Sequence, residues 1–298
     1  MIRFHTVLIS LITLSSALVQ AENLDAAKIE QIIGIKGALN TNEGVFKVTS
    51  PRNDVKVSVD GWTMPPFMGL ASWAAFTEQK ADDVMVMGDT VLFQDEVNPV
   101  MSVALDNGLS VTALHNHFFF DEPKVYFMHI SGTGDAGKLA TAVRKVWDTM
   151  KEIRTANPQP ATTFGLASMT ATNSITGKTI ESILGVKGQA NNGMFKVVIG
   201  RTTKMPCGCE MTKDMGVNTW AAFAGADDNA LVDGDFAVRE DELQPVLKSL
   251  RHDGINIVAI HSHMTQETPR ILFLHYWGRG KVTDLAESLK TALAKQSK

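Results

Sequence analysis

The chain has 298 residues, 44% of them hydrophobic and 20% charged, with a formal net charge of −4. This balance excludes a disordered or collagen-like chain, and with no Lys/Arg run it argues against a nucleic-acid binder, whose footprint is usually basic. Two cysteines exclude a disulfide-built scaffold, and the length suits one or two domains with real cores.

The chain opens on Arg3 and His5, an uncharged apolar run from Val7 to Val19, and Val19-Gln20-Ala21, with small residues where a signal peptidase cuts. The run is too short for the roughly 20 residues a membrane span needs, so residues 1–21 are expected to be a cleaved signal peptide. No Cys follows for lipidation. The mature protein is expected to be periplasmic or secreted, without stable membrane insertion.

The rest is written twice. Ile32-Ile33-Gly34-Ile35-Lys36-Gly37 returns as Ile183-Leu184-Gly185-Val186-Lys187-Gly188, and Trp73-Ala74-Ala75-Phe76 as Trp220-Ala221-Ala222-Phe223. From Gly88-Asp89 and Gly234-Asp235 onward the offset is 146, carrying Pro99-Val100 onto Pro245-Val246 and Gly108 onto Gly254. The expected domains are 28–150 and 177–298, joined by a linker over 151–176.

Each copy predicts the same elements. A leading helix (Leu24 to Ile33; Ser174 to Leu184) precedes β-prone runs at Val45–Val48, Val55–Val59, Ser72–Phe76 and Val84–Met87. Gly88-Asp89 and Gly234-Asp235 are read as turns. Asp95-Glu96-Val97-Asn98-Pro99-Val100 and Asp241-Glu242-Leu243-Gln244-Pro245-Val246 start a helix, with acidic residues and Pro near its N-terminus. Two strands follow, Val111–His117 and Val125–Ile130, and then a final helix, Gly137 to Met150 or Val282 to Ala294. The predicted fold class is α+β: a tandem duplication of a mainly antiparallel sheet domain with helices on one face, forming a pseudo-dimer.

The strongest chemical signal is in the two-strand segment. His115-Asn116-His117 and His129 recur as His261-Ser262-His263 and His275. Residues i and i+2 of a strand share a face. A turn centred on Pro123 would set His117 opposite His129, and one on Pro269 would set His263 opposite His275. Three imidazoles would then converge in each copy, as a first-row divalent metal requires, zinc above all, with copper as the alternative. Asp121 and Glu267, in the hairpin loops, are candidate general bases. Glu96 and Glu242 are explained by the helix N-terminus, and Arg52 and Arg201 as carboxylate or phosphate receivers or as surface ion pairs. Cys207-Gly208-Cys209, flanked by Met205 and Met211, occurs in the second copy alone and offers soft ligands for copper. A small-molecule substrate or a metal ion is the expected partner. The readings that remain are a metal-dependent hydrolase, a metal carrier without turnover, and a structural or partner-binding module whose histidines only hydrogen-bond.

The order of Gly88-Asp89, Asp95 to Val100, Leu114-His115-Asn116-His117 and Phe127-Met128-His129, present twice, resembles the LppY/LpqO-type family of bacterial exported proteins, a domain of unknown function. The resemblance spans essentially the whole mature chain. It implies export and duplication, and no particular activity.

Overall fold

The computed structural model describes residues 24–79, 83–166 and 168–297; the expected signal peptide lies outside them. The first repeat holds α1 (Ala26–Ile33), β1 (Gly37–Asn40), β2 (Val45–Pro51), β3 (Ala71–Glu78), β4 (Val84–Phe93), α2 (Gln94–Asp106), β5 (Ser110–His115), β6 (Val125–Gly134) and α3 (Ala136–Ala156). The second holds α4 (Gly177–Leu184), β7 (Gly188–Asn191), β8 (Met194–Gly200), β9 (Asn218–Ala226), β10 (Asn229–Arg239), α5 (Leu243–His252), β11 (Asn256–His261), β12 (Ile271–Gly280) and α6 (Val282–Leu293).

These twelve strands join one sheet in the order β1-β2-β3-β4-β6-β5-β11-β12-β10-β9-β8-β7, every neighbouring pair antiparallel, and shorter two-residue strands form two small sheets beside it. The α+β duplication predicted from sequence is therefore present, with the repeats meeting edge to edge at β5 and β11. Alternate strand residues explain the layering. Leu114, Met128 and Ile130 of the first repeat and Ile260, Leu274 and Tyr276 of the second are buried against Val100, Met101, Val143, Val146, Val246, Leu250, Leu285 and Leu289 of the helices. One apolar core thus runs through both repeats, and the helices share one face. Each buried aliphatic side chain contributes on the order of 1.5–3 kcal/mol.

The repeat junction is narrow, with the strands bridging at Leu114 and Ile260. Beside it, side-chain amides take over. Asn98 of α2 accepts from the Ile257 amide (2.8 Å) and donates to its carbonyl (3.2 Å). Gln244 of α5 makes the same pair of bonds to Val111, both at 2.9 Å. Val111 and Ile257 stand at irregularities in the pairing of β5 with β6 and of β11 with β12. The paired Asn/Gln before the helix proline thus clamps each repeat onto the other.

Several sequence expectations change. Val55–Val59 is not a full strand: only Ser58–Val59 pairs, while Val55 and Val57 join Val91, Phe93, Val125 and Phe127 in a small satellite cluster. Helix α3 runs past residue 150 to Ala156. The following connector is tied down where Asn173 accepts from the Gly225 amide and Ser174 bridges Ala226. Gly88-Asp89 and Gly234-Asp235 are not turns; they lie mid-strand in β4 and β10. Gly234 is required by packing, since a Cβ there would come within 2.2 Å of the Tyr276 hydroxyl, which donates to the Trp220 carbonyl.

Arg52 and Arg201 are not surface ion pairs. The fully buried Glu96 takes two bonds from Arg52 (2.8 and 2.9 Å) and one from the Phe93 amide (2.9 Å), and Arg154 Nε forms an ion pair with it at 2.8 Å. In the second repeat Glu242 is held by Arg201 and by the Arg239 and Ser297 amides. The acid that opens each helix is therefore both its N-terminal acceptor and the anchor of a buried ion pair.

Candidate metal centre

The histidines gather on the helix-free face of the sheet, by a register other than the one the turn prolines suggested. His129 stands opposite Ala113, and His115 opposite Phe127; His275 stands opposite Ala259, and His261 opposite Phe273. Strands β5 and β11 end at His115 and His261, so His117 and His263 lie in the following loops. Their rings stack on Phe127 and Phe273, with centroids 3.4 Å apart in both cases. The displaced register comes from irregular pairing around Thr112 and Val258 and from loops longer than a tight hairpin.

The histidines nevertheless meet. Ring centroids of His115 lie 5.1 Å from both His117 and His129. Those of His261 lie 5.0 Å from His263 and 4.7 Å from His275. The sequence reading missed a further member, the aspartate of each Gly-Asp pair. Asp89 is the direct cross-strand partner of His129, and Asp235 that of His275. Both carboxylates are buried. The signal was available, because both aspartates survive the duplication, but taking them for turn residues concealed it.

In the second repeat the donor atoms of Asp235, His261 and His263 all lie within 4.8 Å of one another. The His261 and His263 Nε2 atoms face each other at 3.1 Å, and His263 Nε2 is 3.3 Å from Asp235 Oδ2. Two donors about 2.0–2.1 Å from one ion at a tetrahedral angle stand roughly 3.3 Å apart, so these spacings match edges of a zinc-type polyhedron. His275 is set differently. Its Nδ1 lies 3.3 Å from the Gly234 carbonyl and its ring stacks on His261. Among the described residues, the first repeat does not bring three such donors equally close.

Nδ1 of His115, His129 and His261 and Oδ1 of Asp89 and Asp235 are buried without a protein hydrogen-bond partner. Each such group costs about 1–3 kcal/mol when unpaired, and their concentration in the two clusters sets these apart from ordinary core. Burial lowers the pKa of His115 and His117, neighbouring imidazoles adding to it, and lowers that of His261 despite Asp235. Burial thus favours the neutral ring, the form that ligates metal. Burial raises the pKa of Asp89 against the pull of the three histidines.

Asp121 and Glu267 serve the loops. Asp121 accepts from the Val125 amide (2.7 Å) and from Lys124 (3.0 Å), and Glu267 accepts from the Ile271 amide (3.1 Å). Both are buried, closing the turns that contain Pro123 and Pro269. Cys207 and Cys209 are exposed and unbridged. Their hairpin is joined to the loop after His263 by reciprocal backbone bonds between Lys204 and Thr268 (2.9 and 3.1 Å).

Fold and site together describe an internally duplicated α+β protein with a histidine–aspartate cluster on the open face of each repeat. The chain belongs to the family described as Domain of Unknown Function (DUF1259), which matches residues 27–149 and again 178–295. No curated protein and no solved structure shows a significant match. Among the described residues, no helix is long and apolar enough to cross a membrane.

Proposed function

We propose that this is an exported protein of the LppY/LpqO type that binds a divalent transition metal, zinc above all, on the open face of its sheet and uses it to hydrolyse a small molecule. The observation that carries the reading is the convergence of Asp235, His261 and His263. Two imidazoles and one carboxylate suit a zinc-class ion, and the exposure of His263 leaves one side of the centre open to solvent and substrate. Such an ion supplies Lewis acidity and a nucleophile at neutral pH. His275 and Asp235, opposed on neighbouring strands, fix the cluster to rigid backbone. The first-repeat set of Asp89, His115, His117 and His129 is the looser, second site.

A second reading, a copper carrier without turnover, is favoured by the soft donors Cys207 and Cys209 on the hairpin bonded to the His263 loop.

Elemental analysis of the exported protein, produced without a His tag, tests both. One to two equivalents of zinc, lost in part from an Asp235→Asn/His261→Ala/His263→Ala variant, would support the centre and justify a hydrolase screen. Copper retained by that variant but lost from Cys207→Ser/Cys209→Ser would support the carrier. Absence of metal from the wild type, even after supplementation, would remove both readings.

A further inference from the structure

A cavity of about 380 Å³ opens beside His275, the residue that also borders the second-repeat centre. Its walls include Asp233 and Trp277 from the second repeat, Tyr126 and Val97 from the first, and Phe164 from the connector. Phe164 and Trp277 lie face to face, centroids 5.0 Å apart and planes 12° apart, although Phe164 is otherwise 61% exposed. The lining includes one carboxylate, that of Asp233, and neither Lys nor Arg.

The duplication serves as an internal control. At the offset of 146, Asp233 and Trp277 correspond to Met87 and Ser131, and Tyr126 corresponds to Leu272. Phe164 lies in the connector, which occurs once. The rings and the acid are thus additions at one of two equivalent places, and neither the sheet nor the junction clamp requires them.

We infer that this cavity binds an organic cation, a protonated amine or quaternary ammonium on a flat apolar body. Aromatic faces attract such a cation and reward its partial desolvation, while a carboxylate beside them balances its charge. Anions such as phosphates and carboxylates meet neither Lys nor Arg here and would face Asp233. Treating the cation as the substrate of the neighbouring centre rests on the metal reading; binding in the cavity does not, because Asp233, Trp277, Tyr126 and Phe164 belong to neither cluster.

The test is calorimetric titration of the whole protein with phenethylammonium, with phenylacetate as the anionic counterpart, before and after metal is stripped with EDTA. The ammonium is expected to bind at least about tenfold more tightly than the acetate, with EDTA making little difference. Asp233→Asn, at an exposed side chain, should weaken it about tenfold with metal content unchanged. Trp277→Ala should abolish binding, and Trp277→Phe, which keeps a ring against Phe164, should retain most of it. Equal or tighter binding of phenylacetate, no saturable binding of phenethylammonium, indifference to Asp233→Asn, or loss of binding on EDTA treatment would each overturn the proposal. If the protein holds no metal as isolated or after supplementation yet binds phenethylammonium, the cavity stands and the metal reading falls.

Discussion

Replacing Asn98 by Leu keeps the approximate size of the side chain and deletes two hydrogen bonds across the repeat junction. Asn98 is 8% exposed and Ile257 1% exposed. Without the amide, the Ile257 N–H and C=O, now held at 2.8 and 3.2 Å, have no replacement in the adjoining strand. Leaving a buried backbone group unpaired costs about 1–3 kcal/mol. Two groups therefore amount to about 2–5 kcal/mol, lessened where water reaches them. The companion Gln244→Leu should cost less, since Gln244 and Val111 form a part-buried pair. Urea unfolding monitored by tryptophan fluorescence gives the free energy, and hydrogen exchange at Ile257 locates the effect. A loss below about 0.5 kcal/mol with the Ile257 amide still protected would refute the clamp.

Two further outcomes follow from the buried ion pairs. Glu96→Gln should destabilise by about 3 kcal/mol, because it removes the carboxylate shared by Arg52 and Arg154, side chains 5% and 4% exposed, and leaves each only its second partner, Asp54 or Asp95. Glu242→Gln should cost less, since Arg201 is 16% exposed; equal losses in chemical denaturation would contradict this. For Glu242, burial opposes ionisation but is outweighed by Arg201 and the Arg239 and Ser297 amides, which hold its pKa below the usual 4.5. A carboxylate depressed on folding stabilises above its unfolded pKa and loses that contribution as pH falls through the folded value. The stability gap between wild type and Glu242→Gln should therefore be full at pH 7 and narrow below about pH 4.5; urea midpoints showing a constant gap would refute it.

The site was legible in part. Three histidines retained in each copy could be picked out because the duplication compares the chain with itself, and Asp89 and Asp235 were open to the same comparison. What the hairpin could not reveal was its register. Strand pairing is set by the core-facing alternation and by where the ladder slips, and neither is marked by the prolines at 123 and 269. Asp121 and Glu267 lie close in sequence to the histidines, yet their carboxylates close the loops.

The sequence alone determined the duplication, the α+β class and the histidine set, because repetition and hydrophobic period are local properties written along the chain. Tertiary structure decided that the two copies share one sheet, that Asn98 and Gln244 exchange bonds between them, that Arg52 finds Glu96, and that Asp235 joins His261 and His263. Each of these joins residues far apart in sequence. Such meetings depend on strand order and register, which the packing of the whole core selects.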